Sequence, residues 1–239
     1  MGNIPQKKGR EWILAQEYFK AIKGGQFEKV QTMIERNRNL VSARDDAGMS
    51  GVVIASYYGQ PSIASLLISN GAQLDVFEAA MVGDLGTLRK LVEQDRNRVR
   101  AYSPDGFTAL HFAAFFGHFD SARFLIESGA DPSAVAKNMM KVTPLHSAAA
   151  HNHLEISKLL VSKGADVNAR QENNFTPLHA AAQNGNVALA KFLLERGARP
   201  DAKTMDQKTP LDLTKMEGPE AGSKEDREAV AKLLLLGDK

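Results

Sequence analysis

Asp105-Gly106-Phe107-Thr108-Ala109-Leu110-His111-Phe112-Ala113-Ala114-Phe115-Phe116-Gly117-His118, running on through Phe119-Asp120-Ser121-Ala122-Arg123-Phe124-Leu125-Ile126-Glu127-Ser128-Gly129-Ala130-Asp131, writes a turn and two helices in 27 residues. Asp105-Gly106 is a turn signal. Thr108 is a helix cap, its hydroxyl placed to accept from backbone N–H groups of the first turn. Leu110, Ala113 and Ala114 then give a small apolar face, so a neighbouring helix can pack close. Gly117 stops this helix in a left-handed conformation. Ala122, Leu125 and Ile126 recur at helical spacing from about Phe119 to Ser128. Gly129-Ala130-Asp131 turns the chain onward.

The same grammar recurs along the chain. Thr108-Ala109-Leu110-His111 is followed by Thr143-Pro144-Leu145-His146, Thr176-Pro177-Leu178-His179 and Thr209-Pro210-Leu211-Asp212, at steps of 35, 33 and 33 residues. In the last three, Pro stands at the first helical position, where its missing N–H costs nothing. Gly164-Ala165-Asp166-Val167-Asn168 and Gly197-Ala198-Arg199-Pro200-Asp201 close units as Gly129-Ala130-Asp131 does. This period and signature resemble the ankyrin repeat. The resemblance implies an all-α ankyrin-repeat solenoid: stacked helix-turn-helix pairs with short β-hairpin fingers. It also implies protein–protein contact through finger tips and inner helices, with no chemistry of its own. Fold alone does not fix function.

Upstream the pattern is degenerate but readable. Ser50-Gly51-Val52-Val53 takes the motif position, with Ala55, Gly59, Leu67 and Gly71-Ala72 following in their places. Two shorter units lack the motif, one holding Ala21, Gly25, Val30 and Ile34, the other Ala79, Gly83, Leu88 and Val92. A shift of 58 residues lays Ala21 on Ala79, Gly25 on Gly83, Val41 on Val99, Tyr57 on Phe115 and Tyr58 on Phe116. We read a tandem duplication of a two-repeat module, with no hairpin finger before Phe77. The whole chain, 1–239, reads as one ankyrin-repeat domain of about seven units, near 10–45, 46–76, 77–103, 104–136, 137–170, 171–203 and 204–239, with 1–9 a loose end. Trp12, the sole tryptophan, is expected to cover the N-terminal face of the core. Leu233-Leu234-Leu235-Leu236 is expected to seal the other end, after an insertion at Gly218–Lys224. Lys137 to Val142 is two residues longer than its counterparts, so that finger tip should protrude.

Composition narrows the class. Apolar residues make up 43%, the formal net charge is +2 and there is no cysteine. The charge argues for neither nucleic acid nor an anionic membrane. The cysteine count excludes disulfides, thiolate metal sites and Cys nucleophiles, and fits a reducing compartment. No apolar run reaches the ~18 residues of a membrane helix. The N-terminus has no signal-peptide core, and Gln6 stands where a myristoylation motif wants Ser or Thr. The expectation is a cytoplasmic protein with no membrane partner.

Residues just before each helix-ending glycine face the concave groove in this family. Here they are Tyr57-Tyr58, Met81-Val82, Phe115-Phe116, Ala150-His151 and Gln183-Asn184. Aromatics and Met at those places read as interface anchors. Tyr57, Tyr58, Met81, Phe115, Phe116, His151, Gln183 and Asn184 are therefore expected to contact a protein partner. Met139 and Met140, at the extended finger tip, join them, because Met adapts to varied surfaces. A homodimer through the same aromatic stripe is the alternative reading.

The histidines read as structural. His111, His146 and His179 hold the motif position, where imidazole bonds the Thr hydroxyl or a neighbouring backbone. His146, His151 and His153 could be imagined as a metal-dependent site, but no carboxylate is placed to complete it. Arg36–Arg44 and Arg89–Arg100 form basic clusters at equivalent places near the ends of outer helices, which the helix dipole favours; no nucleic-acid partner is expected from them. The chain has no Gly-x-x-x-x-Gly-Lys-Ser/Thr loop, no Gly-x-Ser-x-Gly elbow and no His-Glu-x-x-His helix. The sequence thus points to a non-enzymatic binding protein with no cofactor.

Overall fold

A computed structural model describes residues 9–216 and 222–236. Its chain divides into two compact units, residues 1–78 and 79–239. Most of the insertion at Gly218–Lys224 lies outside the described residues.

The first unit holds α1 (Arg10–Lys23), α2 (Phe27–Arg36), a 3-10 segment at Arg38–Ser42, α3 (Gly51–Tyr57) and α4 (Pro61–Ser69). α2 shows why such a helix docks rather than floats: Val30 and Ile34 are buried on one face while Glu28, Lys29 and Glu35 stay outside. Pairing is like on like, α1 against α3 and α2 against α4. Tyr18, Ile22, Ile34, Ile54, Ile63 and Leu67 fill the space between. Ser50 caps α3, its hydroxyl accepting from Val53 N–H at 3.2 Å. Trp12 is 36% exposed and donates to Asp46 Oδ1 at 3.4 Å, so it clips α1 to a finger residue.

A break between the units falls within α5 (Val76–Val82). The second unit continues with α6 (Leu85–Gln94), a 3-10 segment at Arg96–Arg100, α7 (Ala109–Phe116), α8 (Phe119–Glu127), α9 (Pro144–Ala150), α10 (Leu154–Ser162), α11 (Pro177–Gln183), α12 (Val187–Glu195), α13 (Pro210–Leu213) and α14 (Lys224–Leu236). α7, α9, α11 and α13 stack in one row, and α6, α8, α10, α12 and α14 in another. The alanines of the first row make this close stacking possible: Ala113, Ala114, Ala148, Ala149, Ala181 and Ala182 are all fully buried. Leu110, Leu145 and Leu178, also fully buried, anchor the motif of each repeat, and each contributes about 1.5–3 kcal/mol of burial.

The duplication read from the sequence holds as geometry. Adding 58 to α2 gives α6, and adding it to the first 3-10 segment gives the second, residue for residue. α4 likewise becomes α8, and the antiparallel bridge Arg44–Ser50 becomes Tyr102–Thr108. Those two bridges are the whole β content of the fingers among the described residues.

The missing finger before Phe77 has a substitute. Asp75 Oδ1 accepts from the N–H groups of Phe77 and Glu78, both at 2.8 Å, and Glu78 Oε2 accepts from Asp75 N–H at 3.0 Å. Asp75 and Glu78 thereby take the places of Thr and His in the motif, as a reciprocal cap. At the far end the expected leucine seal is partial: Leu234 is buried, whereas Leu235 and Leu236 are 58% and 68% exposed. A helix presents successive residues about 100° apart, so four leucines in a row cannot all face one core.

Candidate partner-binding surface

Two hydrogen-bond ladders set the surface of the second unit. In the first, Thr108 N–H donates to His111 Nδ1 at 3.2 Å, and the Thr108 hydroxyl lies 2.8 Å from the same nitrogen. His111 Nε2 lies 3.0 Å from the carbonyl oxygen of Val142 in the next finger. A carbonyl can only accept, so Nε2 carries the proton and Nδ1 is the acceptor. His146 repeats this with Thr143 and the carbonyl of Phe175, and His179 with Thr176 and the carbonyl of Lys208. Burial pushes both His111 and His146 down to about 4. Asp212 ends the series, turning inward to accept from the N–H and hydroxyl of Thr209.

The second ladder ties each inner helix end to the following unit. The carbonyls of Met81, Phe115, Ala150 and Gln183 all stand two residues before a left-handed residue: Gly83, Gly117, Asn152 and Gly185. They receive His118 Nε2 at 2.9 Å, His153 Nε2 at 3.0 Å, Asn184 Nδ2 at 2.9 Å and Gly222 N–H at 3.2 Å. Such carbonyls at a helix C-terminus would otherwise lack a partner. Sequence reading placed His118 and His153 near helix ends and missed this role. Their recurrence 35 residues apart, each immediately before the first residue of an outer helix, was the available signal.

Aromatic side chains lie along the rim this ladder defines. Phe115 and Phe116 are half-buried, their rings edge to face at 4.9 Å. Phe115 also meets the exposed His151 of the next repeat, ring centroids 3.9 Å apart, and His151 stacks on His153 at 6.3 Å. Burial, then the neighbouring His153, holds His151 below its ordinary pKa. In the first unit Tyr57 and Tyr58 are 45% and 52% exposed, and Lys23 Nζ sits 5.6 Å over the Tyr58 ring. Met139 and Met140 are exposed at 86% and 52%.

Met81 departs from expectation. It is 3% exposed, so its side chain is core, and its carbonyl serves the ladder. Gln183 and Asn184 are half-buried and partly committed: Asn184 Nδ2 also reaches Asn152 Oδ1 at 3.3 Å, and Gly222 closes on their backbone. The imagined His146–His153 metal site does not assemble, because both nitrogens of His146 and Nε2 of His153 are already engaged. In the basic clusters Arg44 donates to the Gly48 carbonyl, Arg100 to that of Gly129, and Arg89 lies 4.8 Å over Phe124. No helix is long and apolar enough to cross a membrane among the described residues.

Comparison with known families decides what these repeats are. The family described as ankyrin repeats in three copies matches residues 135–204, and the single ankyrin repeat matches residues 105–137. These are ankyrin repeats. Among relatives, alpha-latrocrustotoxin-Lt1a of Latrodectus tredecimguttatus is 31% identical over 120 residues, 47% of this chain and 8% of the toxin. Ankyrin repeat and SOCS box protein 3 of Bos taurus is 32% identical over 96 residues, 36% of this chain and 18% of the relative. DNA-binding protein RFXANK of Homo sapiens is 38% identical over 64 residues, 27% of this chain and 25% of the relative. The chain spans a quarter or less of these proteins, so the likeness is one of ankyrin repeats. The 58-residue shift lays residues 47–71 on residues 105–129 of the matched segment.

Proposed function

We propose that this chain is a non-enzymatic module that holds a protein partner on its concave side. In the second unit the contact surface is Phe115, Phe116 and His151, with Gln183 and Asn184 adding polar contacts and Met139 and Met140 contributing at the finger tips. In the first unit Tyr57 and Tyr58 play the same part at the equivalent helix end. A cytoplasmic setting belongs to the same proposal.

The observation that carries it is the Phe115–His151 contact. Two neighbouring repeats bring aromatic rings within 3.9 Å at the groove side, and His151 remains exposed while doing so. Aromatic side chains that are rigid and partly open are what interface anchors require. Repeats of this family generally mediate protein contact, and no dry, enclosed pocket is needed for that task.

Light scattering behind size-exclusion chromatography comes first, followed by cross-linking to partners in native extract, with Tyr58→Ala and Phe116→Ala as controls. Specific partners lost in both variants, at an unchanged melting temperature, would support the reading. Identical partner sets in wild type and variants would sink it. A dimer broken by the same variants would assign the surface to self-association.

A further inference from the structure

Met139 has the largest exposure of any large apolar side chain in the described residues, 86%. Met205, on another finger, is 62% exposed, and Val135 and Met140 are 50% and 52% exposed. Lysines bracket both apices: Lys137 and Lys141 around Met139-Met140, and Lys203 and Lys208 around Met205, all four exposed. The fingers are tied edge to edge. Lys137 N–H donates to the Gly106 carbonyl at 2.8 Å, Glu172 N–H to the Met140 carbonyl at 3.1 Å, and Met205 N–H to the Asn173 carbonyl at 3.0 Å. The two apices are therefore held in one row within the second unit. Of the carboxylates there, Glu172 is occupied by Lys141 at 2.9 Å, which leaves Asp105 and Asp206 against Lys137, Lys203, Lys208 and Arg170.

We propose that this row of finger tips docks on an anionic lipid surface, the methionines entering the headgroup boundary and the lysines meeting the headgroups. The arrangement separates two chemistries by depth. Thioethers stand at the apex, and cations follow within two or three residues of it, on stems long enough to stay at the polar level. An acidic protein would need a cavity matched to a side chain that touches almost nothing of its own molecule. A bilayer needs no matching shape. The unbranched Met side chain conforms to a fluid environment at small cost. This surface shares Met139 and Met140 with the proposed partner contact but none of the aromatic rim, so Phe116→Ala separates the two readings.

The test is co-sedimentation of the whole chain with phosphatidylcholine vesicles, with and without phosphatidylserine, across a salt series. Retention is expected only on the phosphatidylserine vesicles and should fall as salt rises. Met139→Glu with Met140→Glu should abolish it at unchanged melting temperature. Lys203→Gln with Lys208→Gln should weaken it by about fivefold per lysine. Phe116→Ala should bind vesicles like the wild type. No retention at low salt, or retention indifferent to the methionine pair, overturns the proposal. So does binding to soluble poly-glutamate as tight as to vesicles, which would assign the tips to an acidic protein.

Discussion

His153 Nε2 lies 3.0 Å from the carbonyl oxygen of Phe115, 38 residues back along the chain. That one bond closes the end of α7 and ties two repeats together. It also fixes the tautomer, since the carbonyl requires a proton on Nε2. His118 makes the same bond to Met81. The closing of inner-helix ends and the stacking of repeats thus depend on the same imidazoles.

Replacing His153 by Ala leaves the Phe115 carbonyl without its partner and removes the ring that supports His151. We expect a loss of about 1–3 kcal/mol in urea unfolding, the usual cost of stranding a half-buried polar group. His151→Ala removes an exposed ring and its contacts with Phe115 and His153 but strands no backbone carbonyl, and should cost less, about 0.5–1 kcal/mol. Equal losses would mean that the carbonyl finds another donor and that the ladder is incidental.

Stability should fall on mild acidification. His111 and His146 are held neutral by burial, near 4 in the folded chain against 6.5 for a free imidazole. The unfolded chain takes up protons first, so stability is whole above pH 6.5 and declines as pH drops toward 4. Each residue accounts for up to about 3 kcal/mol across that window. His179, His118 and His151 are shifted in the same direction, chiefly by burial, and act with the same sign. Thermal melts from pH 7.5 to 4.5 should show a steep drop in Tm. His111→Gln should flatten the curve while lowering its top. A Tm constant to pH 5 would contradict neutral, buried imidazoles at these positions.

Much of this fold is legible in local residue types. Thr-Pro-Leu-His, Gly-Ala-Asp and the 58-residue shift fix helix starts, stops and register, because each reflects a hydrogen bond or a positive φ inside a few residues. Tyr57, Tyr58 and His151 were likewise placed at open helix ends by their spacing from a turn. Met81 was not, because its burial depends on which neighbour packs over a helix end, and that neighbour is distant in sequence. The second ladder stayed hidden for the same reason: its donors and acceptors lie 34 to 39 residues apart. Leu235 and Leu236 misled because four leucines in a row carry no helical period.

Glu78 is the weak member of the motif series. It is 3% exposed, Oε2 serves Asp75, and Oε1 is buried without a hydrogen-bond partner. A buried carboxylate oxygen in that state is a cost rather than a contact. Glu78→Gln keeps an acceptor for Asp75 N–H and removes the charge. It should hold or raise Tm by a few degrees, corresponding to about 1 kcal/mol. Glu78→Ala, which also deletes the cap, should lower it. A gain from Ala as large as from Gln would show that the cap contributes nothing.

Two glycines separate backbone strain from crowding. Gly117 and Gly164 both adopt left-handed conformations, φ +81° and +93°. A Cβ on Gly164 would meet nothing within 4 Å, whereas one on Gly117 would lie 2.5 Å from Cε1 of His153. Gly164→Ala therefore carries only the left-handed penalty, about 1–2 kcal/mol. Gly117→Ala carries that penalty and must also displace the His153 ring, breaking its bond to Phe115. It should cost at least about 1 kcal/mol more than Gly164→Ala in chemical denaturation. In the His153→Ala background the gap between the two glycine variants should close, because the clash partner is gone. A gap that persists there would place the cost in the backbone alone and remove His153 from the account of why residue 117 is glycine.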